Sequence, residues 1–410
     1  MQGEAFMRER DAIAVTLRAQ RVKARARAPI VTPAFVLYPL ALHPEETIAS
    51  VERAMPQVAL QLSNVRRKAT HLRLHHPPLL IEAPHPEPRT LAMPQTMQLG
   101  AHAMLAGRGY TFAGPEEQIV RFDTSPHTLV AGITGSGKSV LMQGMALSAA
   151  LHTTPAELRY MVVDLKRDDL VALQGLPHTI DFAGDPDASL RAIDFVHTEM
   201  ERRRDAAGKA SWRLVLWIDE LAQLPHEAQE QIKVITALGR SMGINVVSAT
   251  QHPTAEVLGG SVGKINYTSR LVGLVADATA ASTATGRAKT GAEMLPGRGS
   301  FIRVEGATMV RFQSYLLEHG DVRRMIRSIR ERWNGVTPAC AVQRSSAPQL
   351  NQIEAVFAEY HDGDGDLLRG GLAAAIRAAY GDEARSSGRI YQEQRDAVMQ
   401  RFAQWYASQQ

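Results

Sequence analysis

At 410 residues, 45% hydrophobic and 21% charged, the chain has the composition of a globular protein with room for two or three domains, which excludes a disordered or fibrous class. A net charge of +4 permits a nucleic-acid partner without demonstrating one, and a single cysteine, Cys340, excludes an intramolecular disulfide and fits a reducing cytosol. No run reaches the ~18 apolar residues of a membrane span and the stretch from Met1 to Arg27 lacks a signal-peptide apolar block, so no membrane span and a cytoplasmic location are expected.

Residues 1–28 carry Arg8, Arg10, Arg18, Arg21, Lys23, Arg25 and Arg27 and read as a basic helix or arm. Residues 29–100 read as a small α/β module: an alternating run over 29–40, a helical stretch over 44–63, then short strands over 71–75 and 79–82. His71, His75 and His76 invite a metal, yet no cysteine or acid sits at ligand spacing, so surface histidines are expected. The proline-rich residues 83–88 read as a linker closing the module.

Over residues 101–333 strands alternate with helices, which predicts an α/β fold with a parallel sheet and helices on both faces. The run Leu129-Val130-Ala131 enters Gly132-Ile133-Thr134-Gly135-Ser136-Gly137-Lys138-Ser139, and Val140 opens a helical stretch. Strand, glycine-rich loop and helix in that order make a phosphate-binding P-loop, because glycines let backbone N–H groups curl around an anion that the helix N-terminus also attracts. Residues 132–140 are therefore expected to bind a nucleoside triphosphate, with Lys138 reaching the β- and γ-phosphates and Ser139 ligating Mg2+.

In open parallel sheets the ligand crevice lies at the carboxyl ends of the strands, so those ends are the next candidates. Ile218-Asp219-Glu220 closes the most apolar strand: Asp219 would hold Mg2+, largely through water, and Glu220 would orient or deprotonate the attacking water. Thr250-Gln251 follows the next strand, where a polar side chain would contact the γ-phosphate or that water. The charges of Asp164-Leu165-Lys166, at another strand end, either serve the site or solvate a loop. A guanidinium from a neighbouring subunit completes many such sites, and Arg270, Arg287 and Arg298 all lie beyond the Gln251 strand.

Residues 334–349 read as a linker and 350–410 as a helical domain, with helices over 371–380 and 389–406 and Ile390, Val398, Phe402 and Trp405 as core. A helix-turn-helix or winged-helix reading and a helical hairpin for subunit contact fit this pattern alike. Asp362, Asp364 and Asp366 imitate a calcium loop but lack its glycine and its closing glutamate.

Residues 127–318 resemble the motor domain of the FtsK/SpoIIIE DNA translocases. The resemblance is carried, in order, by residues 127–139, Val163-Asp164-Leu165-Lys166, Gly175-Leu176-Pro177-His178, Glu199-Met200-Glu201-Arg202-Arg203 and Ile218-Asp219-Glu220-Leu221-Ala222-Gln223-Leu224. Gly239-Arg240-Ser241-Met242-Gly243-Ile244-Asn245, Ala249-Thr250-Gln251-His252-Pro253 and Leu295-Pro296-Gly297-Arg298-Gly299 complete it. It implies a RecA-like P-loop ATPase core, preceded by the small α/β module and followed by a helix-turn-helix-like domain. It further implies a homo-hexameric ring threaded by double-stranded DNA, with ATP and Mg2+ held between subunits. In that frame Gln251 is the sensor, Arg270 the arginine acting in trans, and residues 253–265 a pore-facing loop in which Lys264 meets DNA phosphate. The function implied is ATP-driven translocation of double-stranded DNA in plasmid transfer, phage DNA handling or segregation. A ring ATPase that moves protein and a nucleotide-gated DNA-binding protein without translocation are the alternatives.

Overall fold

The computed structural model describes residues 2–75, 79–94, 99–111, 114–206, 211–260, 266–336, 356–357, 371–380 and 388–409; His76, Lys264, Cys340, Asp362, Asp364 and Asp366 lie outside them. The chain divides into two compact units, residues 1–334 and 335–410.

The first unit begins with a small module. Strands β1 (Ala24–Ala26), β2 (Ile30–Val31), β3 (Phe35–Leu42), β4 (Arg73–His75) and β5 (Leu80–Pro84) form an antiparallel sheet in the order β1-β3-β5-β4, with β2 also on β3. Helices α1 (Gln2–Ala19) and α2 (Ile48–Arg66) pack on it. The first 28 residues, expected as a basic arm, therefore supply a helix and a strand to this module. Phe6, Ile13 and Leu17 recur on one face of α1 and share a core with Val51, Ala54, Val58 and Leu62 of α2, leaving Arg8 and Arg18 exposed. A buried Glu9–Arg66 pair at 2.6 Å ties the two helices, and the Tyr38 hydroxyl donates to Glu9. Residues 83–88, expected as a linker, begin inside β5, and the N–H groups of His85 and Arg89 donate to Ala34 and Pro33 at 2.9 and 2.8 Å.

A ten-stranded sheet carries the rest of the first unit, in the order β10-β9-β11-β12-β8-β13-β14-β15-β6-β7. Its strands are β6 (Ala103–Thr111), β7 (Gly114–Arg121), β8 (His127–Ala131), β9 (Leu158–Val163), β10 (Thr179–Ala183), β11 (Arg213–Ile218), β12 (Ile244–Thr250), β13 (Ser269–Val272), β14 (Ser300–Glu305) and β15 (Thr308–Ser314). From β10 to β13 neighbours run parallel; from β13 to β7 they run antiparallel. The parallel half follows the sequence expectation, and the antiparallel half was not foreseen. Both faces of the parallel half are covered. In β11, Leu214, Leu216 and Ile218 enter one core with α4 (Pro186–Asp205), α5 (His226–Leu238) and α6 (Ala278–Thr285). Val215 and Trp217 enter the opposite core with α3 (Lys138–His152) and α7 (His319–Arg332). A strand buried on both faces reads as an unbroken apolar run, and each such side chain stabilises the fold by about 1.5–3 kcal/mol.

Register positions the site. Strand β12 lies between β8 and β11, pairing Thr250 with Ala131 and Ser248 with Ile218. The loop after Ala131, the acids after Ile218 and the residue after Thr250 thus emerge at one edge of the sheet.

The module docks on the ten-stranded sheet through charge. Arg311 of β15 pairs with Glu82 of β5 and lies 4.2 Å over the Phe35 ring; Arg73 donates to the Gly291 carbonyl. His75, one of the residues weighed as a metal ligand, bonds Glu82 at 3.0 Å.

The second unit contains α8 (Gly371–Tyr380) and α9 (Gly388–Gln409), whose Ala375, Ile376 and Ala379 share a core with Phe357, Val398 and Phe402. The Phe357 and Phe402 rings meet edge to face at 5.1 Å. Among the described residues no helix is long and apolar enough to cross a membrane.

Candidate functional site

Strand β8 is buried throughout and delivers the chain to Gly132, whose N–H donates to Thr250 at 3.2 Å; the Ile133 N–H donates to Leu274 at 2.7 Å. The loop that follows needs glycine at Gly137. Its φ is 98°, and a Cβ there would stand 2.8 Å from the Gly299 nitrogen. That neighbour belongs to a turn over residues 297–299, which braces the loop from outside: the N–H groups of Arg298 and Gly299 donate to the carbonyls of Gly135 and Ser136 at 3.2 and 2.8 Å. In a trans peptide the carbonyl and the next N–H point in opposite directions, so holding the Ser136 carbonyl outward turns the Gly137 N–H inward. Helix α3 starts at Lys138 with no side-chain cap at its N-cap, Gly137. Its first-turn N–H groups are the ones an anion satisfies, with the helix dipole adding to the attraction. Ser139 stands in that first turn, half-buried, followed by Val140.

The acids come next. Lys138, Asp219 and Glu220 are 7%, 4% and 6% exposed, so their charges act in a poorly hydrated site. Burial holds the Lys138 ammonium below the usual lysine value, against the pull of Glu220, Asp219 and Asp169. Burial raises Asp219 to about 7, helped by the charges of Asp169 and Asp164 and by a hydrogen bond to Asp169, with Lys138 opposing. Glu220 Oε2 accepts the Gln251 N–H at 2.9 Å, and Gln251 Oε1 accepts the Thr134 hydroxyl at 2.9 Å. A hydrogen-bonded path therefore runs from the P-loop through Gln251 to Glu220, across the intervening strand β12.

Asp164, Arg270, Arg287 and Arg298 are placed as follows. Asp164 is fully buried and accepts N–H groups of Lys166, Asp168 and Leu170 at 3.2, 3.1 and 2.8 Å, so it folds its own loop. That loop carries Asp169, absent from the sequence reading, to Asp219. Its signal was an acid shortly after a strand end, the same rule that found Asp219. Arg270 donates to the carbonyls of Tyr267 and Ala284 at 3.2 and 3.4 Å, engaged with its own chain at the end of α6, and burial lowers its guanidinium from the usual value. Arg287 donates to the Gly306 carbonyl. Arg298 is exposed, in left-handed backbone with φ 50°, on the turn that braces the P-loop.

The donor set suits a nucleotide triphosphate with Mg2+. An uncapped helix N-terminus and Lys138 could hold phosphate, and Ser139 with Asp219 could hold a hard cation that keeps most of its waters. Among the described residues no three His, Cys, Asp or Glu side chains converge as direct metal ligands.

A parallel sheet with a strand between the P-loop strand and the acidic strand, and with the site at its carboxyl edge, defines a P-loop ATPase with a RecA-like core. Residues 91–211 match the model of the FtsK/SpoIIIE family. The chain is 30% identical over 286 residues to the DNA translocase FtsK of Tropheryma whipplei, covering 61% of this chain and 38% of that protein. To the DNA translocase FtsK of Staphylococcus epidermidis it is 32% identical over 244 residues, covering 52% and 30%. The chain spans less than half the length of these relatives. Among solved structures, the pCW3 conjugation coupling protein TcpA in monomer form with ATPγS is similar in fold, with a TM-score of 0.52 at 18% identity, covering 78% of this chain and 99% of that one.

Proposed function

We propose that this chain is an ATP-hydrolysing motor that translocates double-stranded DNA as one subunit of a homo-hexameric, cytoplasmic ring. The observation that carries the reading is the convergence of Lys138, Asp219, Glu220 and Gln251 at one sheet edge, with Glu220 bonded to the Gln251 N–H. Support for DNA as the track comes from the FtsK relatives.

Lys138 and the first turn of α3 bind the β- and γ-phosphates and neutralise charge that grows as the terminal phosphoryl leaves. Ser139 and Asp219 would hold Mg2+, which would supply positive charge against the phosphates. Glu220 orients the attacking water and accepts its proton. Gln251 shares a hydrogen bond with Glu220 through its backbone and with the P-loop through its side chain, so a change in the γ-phosphate reaches strand β12. Arg270 is the arginine offered to a neighbour's nucleotide, and to act there it leaves the Tyr267 and Ala284 carbonyls.

The test is ATP turnover with and without long duplex DNA, alongside displacement of a triplex oligonucleotide. DNA-stimulated turnover with displacement is expected. Turnover indifferent to DNA would remove the motor reading, and stimulation without displacement would favour a nucleotide-gated switch. In mixtures of Arg270→Ala with wild type, loss confined to the variant's own nucleotide sites would contradict action in trans.

A further inference from the structure

The turn over residues 297–299 that braces the P-loop is itself held by the antiparallel half of the sheet. Its residues all take left-handed backbone, with φ of 71°, 50° and 85°, so it has no helix or strand ladder to lean on and needs other partners for its polar groups. Strand β15 supplies them. The Ser314 N–H donates to the Gly299 carbonyl at 2.7 Å, and the buried side-chain amide of Gln313 donates from Nε2 to the Arg298 carbonyl at 2.9 Å. A carbonyl only accepts, so the NH2 end of that amide faces it. The fit is close, since a Cβ on Gly299 would stand 2.8 Å from Gln313 Nε2.

Peptide planarity carries this contact inward. The Arg298 carbonyl and the Gly299 N–H belong to one peptide and point in opposite directions. The Gly299 N–H donates to the Ser136 carbonyl at 2.8 Å, and that carbonyl shares a peptide with the Gly137 N–H. Donors thus run head to tail from Gln313 through these peptides to the Gly137 N–H, which has no acceptor among the described residues. Hydrogen bonds in such a chain polarise one another, so a donor at the outer end strengthens the one at the inner end. A parallel chain through the Gly297–Arg298 peptide ends inside the loop, because the Ser136 N–H it reaches donates to the Ile133 carbonyl at 3.1 Å.

We propose that Gln313 is a positioning residue of the phosphate site: through the Arg298–Gly299 and Ser136–Gly137 peptides it aims and strengthens the Gly137 N–H that meets the nucleotide. This rests on the nucleotide-site reading and deepens it, and it gives the antiparallel half of the sheet a part in that site.

The experiment measures the affinity of the full chain for a fluorescent ATPγS analogue, in Mg2+ and in EDTA, for wild type, Gln313→Met, Gln313→Glu and Gln313→His, each well below its melting temperature. Met fills the space without a donor, Glu sets an acceptor against the Arg298 carbonyl, and His restores an N–H donor. One net hydrogen bond corresponds to a change in affinity of roughly 2- to 13-fold. Gln313→Met is expected to bind more weakly within that range, by the same factor in Mg2+ and in EDTA because the N–H meets phosphate rather than the cation. Gln313→Glu is expected to lose at least as much and Gln313→His to recover most of the loss. A role confined to holding the turn would lower melting temperatures and leave the affinities level. Level affinity in Gln313→Met, a loss confined to Mg2+, or a Gln313→Glu variant that binds like wild type overturns the proposal. If Gln313→Met does not fold, Gln313→Glu and Gln313→His are compared: weaker binding by the first with recovery by the second supports it, and equal affinities overturn it. Failure of wild type to bind the analogue at all would instead remove the P-loop reading and this inference with it.

Discussion

Glu82→Gln removes the centre of the contact between the small module and the ten-stranded sheet. Burial pushes the Glu82 carboxyl up, but Arg311, His75 and Arg73 outweigh it and hold it at about 2, against an ordinary 4.5. The carboxylate is depressed in the folded state, so its contribution is complete above the unfolded value, declines as pH falls below about 5, and is gone near pH 2. A shift of that size corresponds to roughly 3 kcal/mol. Burial meanwhile draws the Arg311 guanidinium down, so removing Glu82 also leaves a charge without its partner, a change that costs about 3–5 kcal/mol in buried pairs. Both routes give a loss near 3 kcal/mol at pH 7, a large part of the ~5–15 kcal/mol that holds a domain together. Urea unfolding of the two proteins at pH 7 and pH 3 measures it. The gap should narrow at the lower pH, and Glu82→Gln with Arg311→Met should recover most of it. Equal midpoints at pH 7, or a gap that does not shrink in acid, would refute the reasoning.

Gly137→Ala forces a Cβ to 2.8 Å from the Gly299 nitrogen at a φ of 98°, and should weaken binding of a fluorescent ATP analogue by roughly 5- to 150-fold through strain of ~1–3 kcal/mol; unchanged affinity would mean the turn at residues 297–299 does not brace the loop. Asp219→Asn in protein free of metal should raise the melting temperature more at pH 8 than at pH 5, because burial raises this carboxyl to about 7 and its ionised form burdens the folded state above that pH; an equal effect at both would contradict it. Phe402→Ala should destabilise the second unit by about 3–5 kcal/mol, seen as rapid proteolysis after residue 335, while the nucleotide affinity of the first unit stays level.

The P-loop, Asp219, Glu220 and Gln251 were legible because their chemistry is local: each follows an apolar strand, and strand ends in a parallel sheet share an edge. Asp169 was not, since its place depends on a turn folded by Asp164, whose own charge read equally well as solvated. The antiparallel half of the sheet escaped for a different reason. Strand β6 holds Gly107, where a Cβ would stand 2.3 Å from the Gln313 carbonyl, so a residue required by close approach of strands looks in sequence like a break. Strand β7 is mostly half-buried or exposed, with Glu116, Glu117 and Gln118 in its middle, and carries little apolar alternation. In α1, abundant arginine masks the narrow apolar face of Phe6, Ile13 and Leu17 that decides the helix's packing. The Glu82–Arg311 contact joins distant parts of the chain, and no local pattern announces it.

For the central claim, that Glu220 drives ATP hydrolysis coupled to duplex DNA, the most direct measurement is turnover by wild type and Glu220→Gln with and without long duplex DNA, with nucleotide binding followed in parallel. The account predicts DNA-stimulated turnover in wild type, and in the variant retained ATP binding with turnover lost under both conditions. Hydrolysis that survives in Glu220→Gln, or wild-type turnover that ignores DNA, would contradict it.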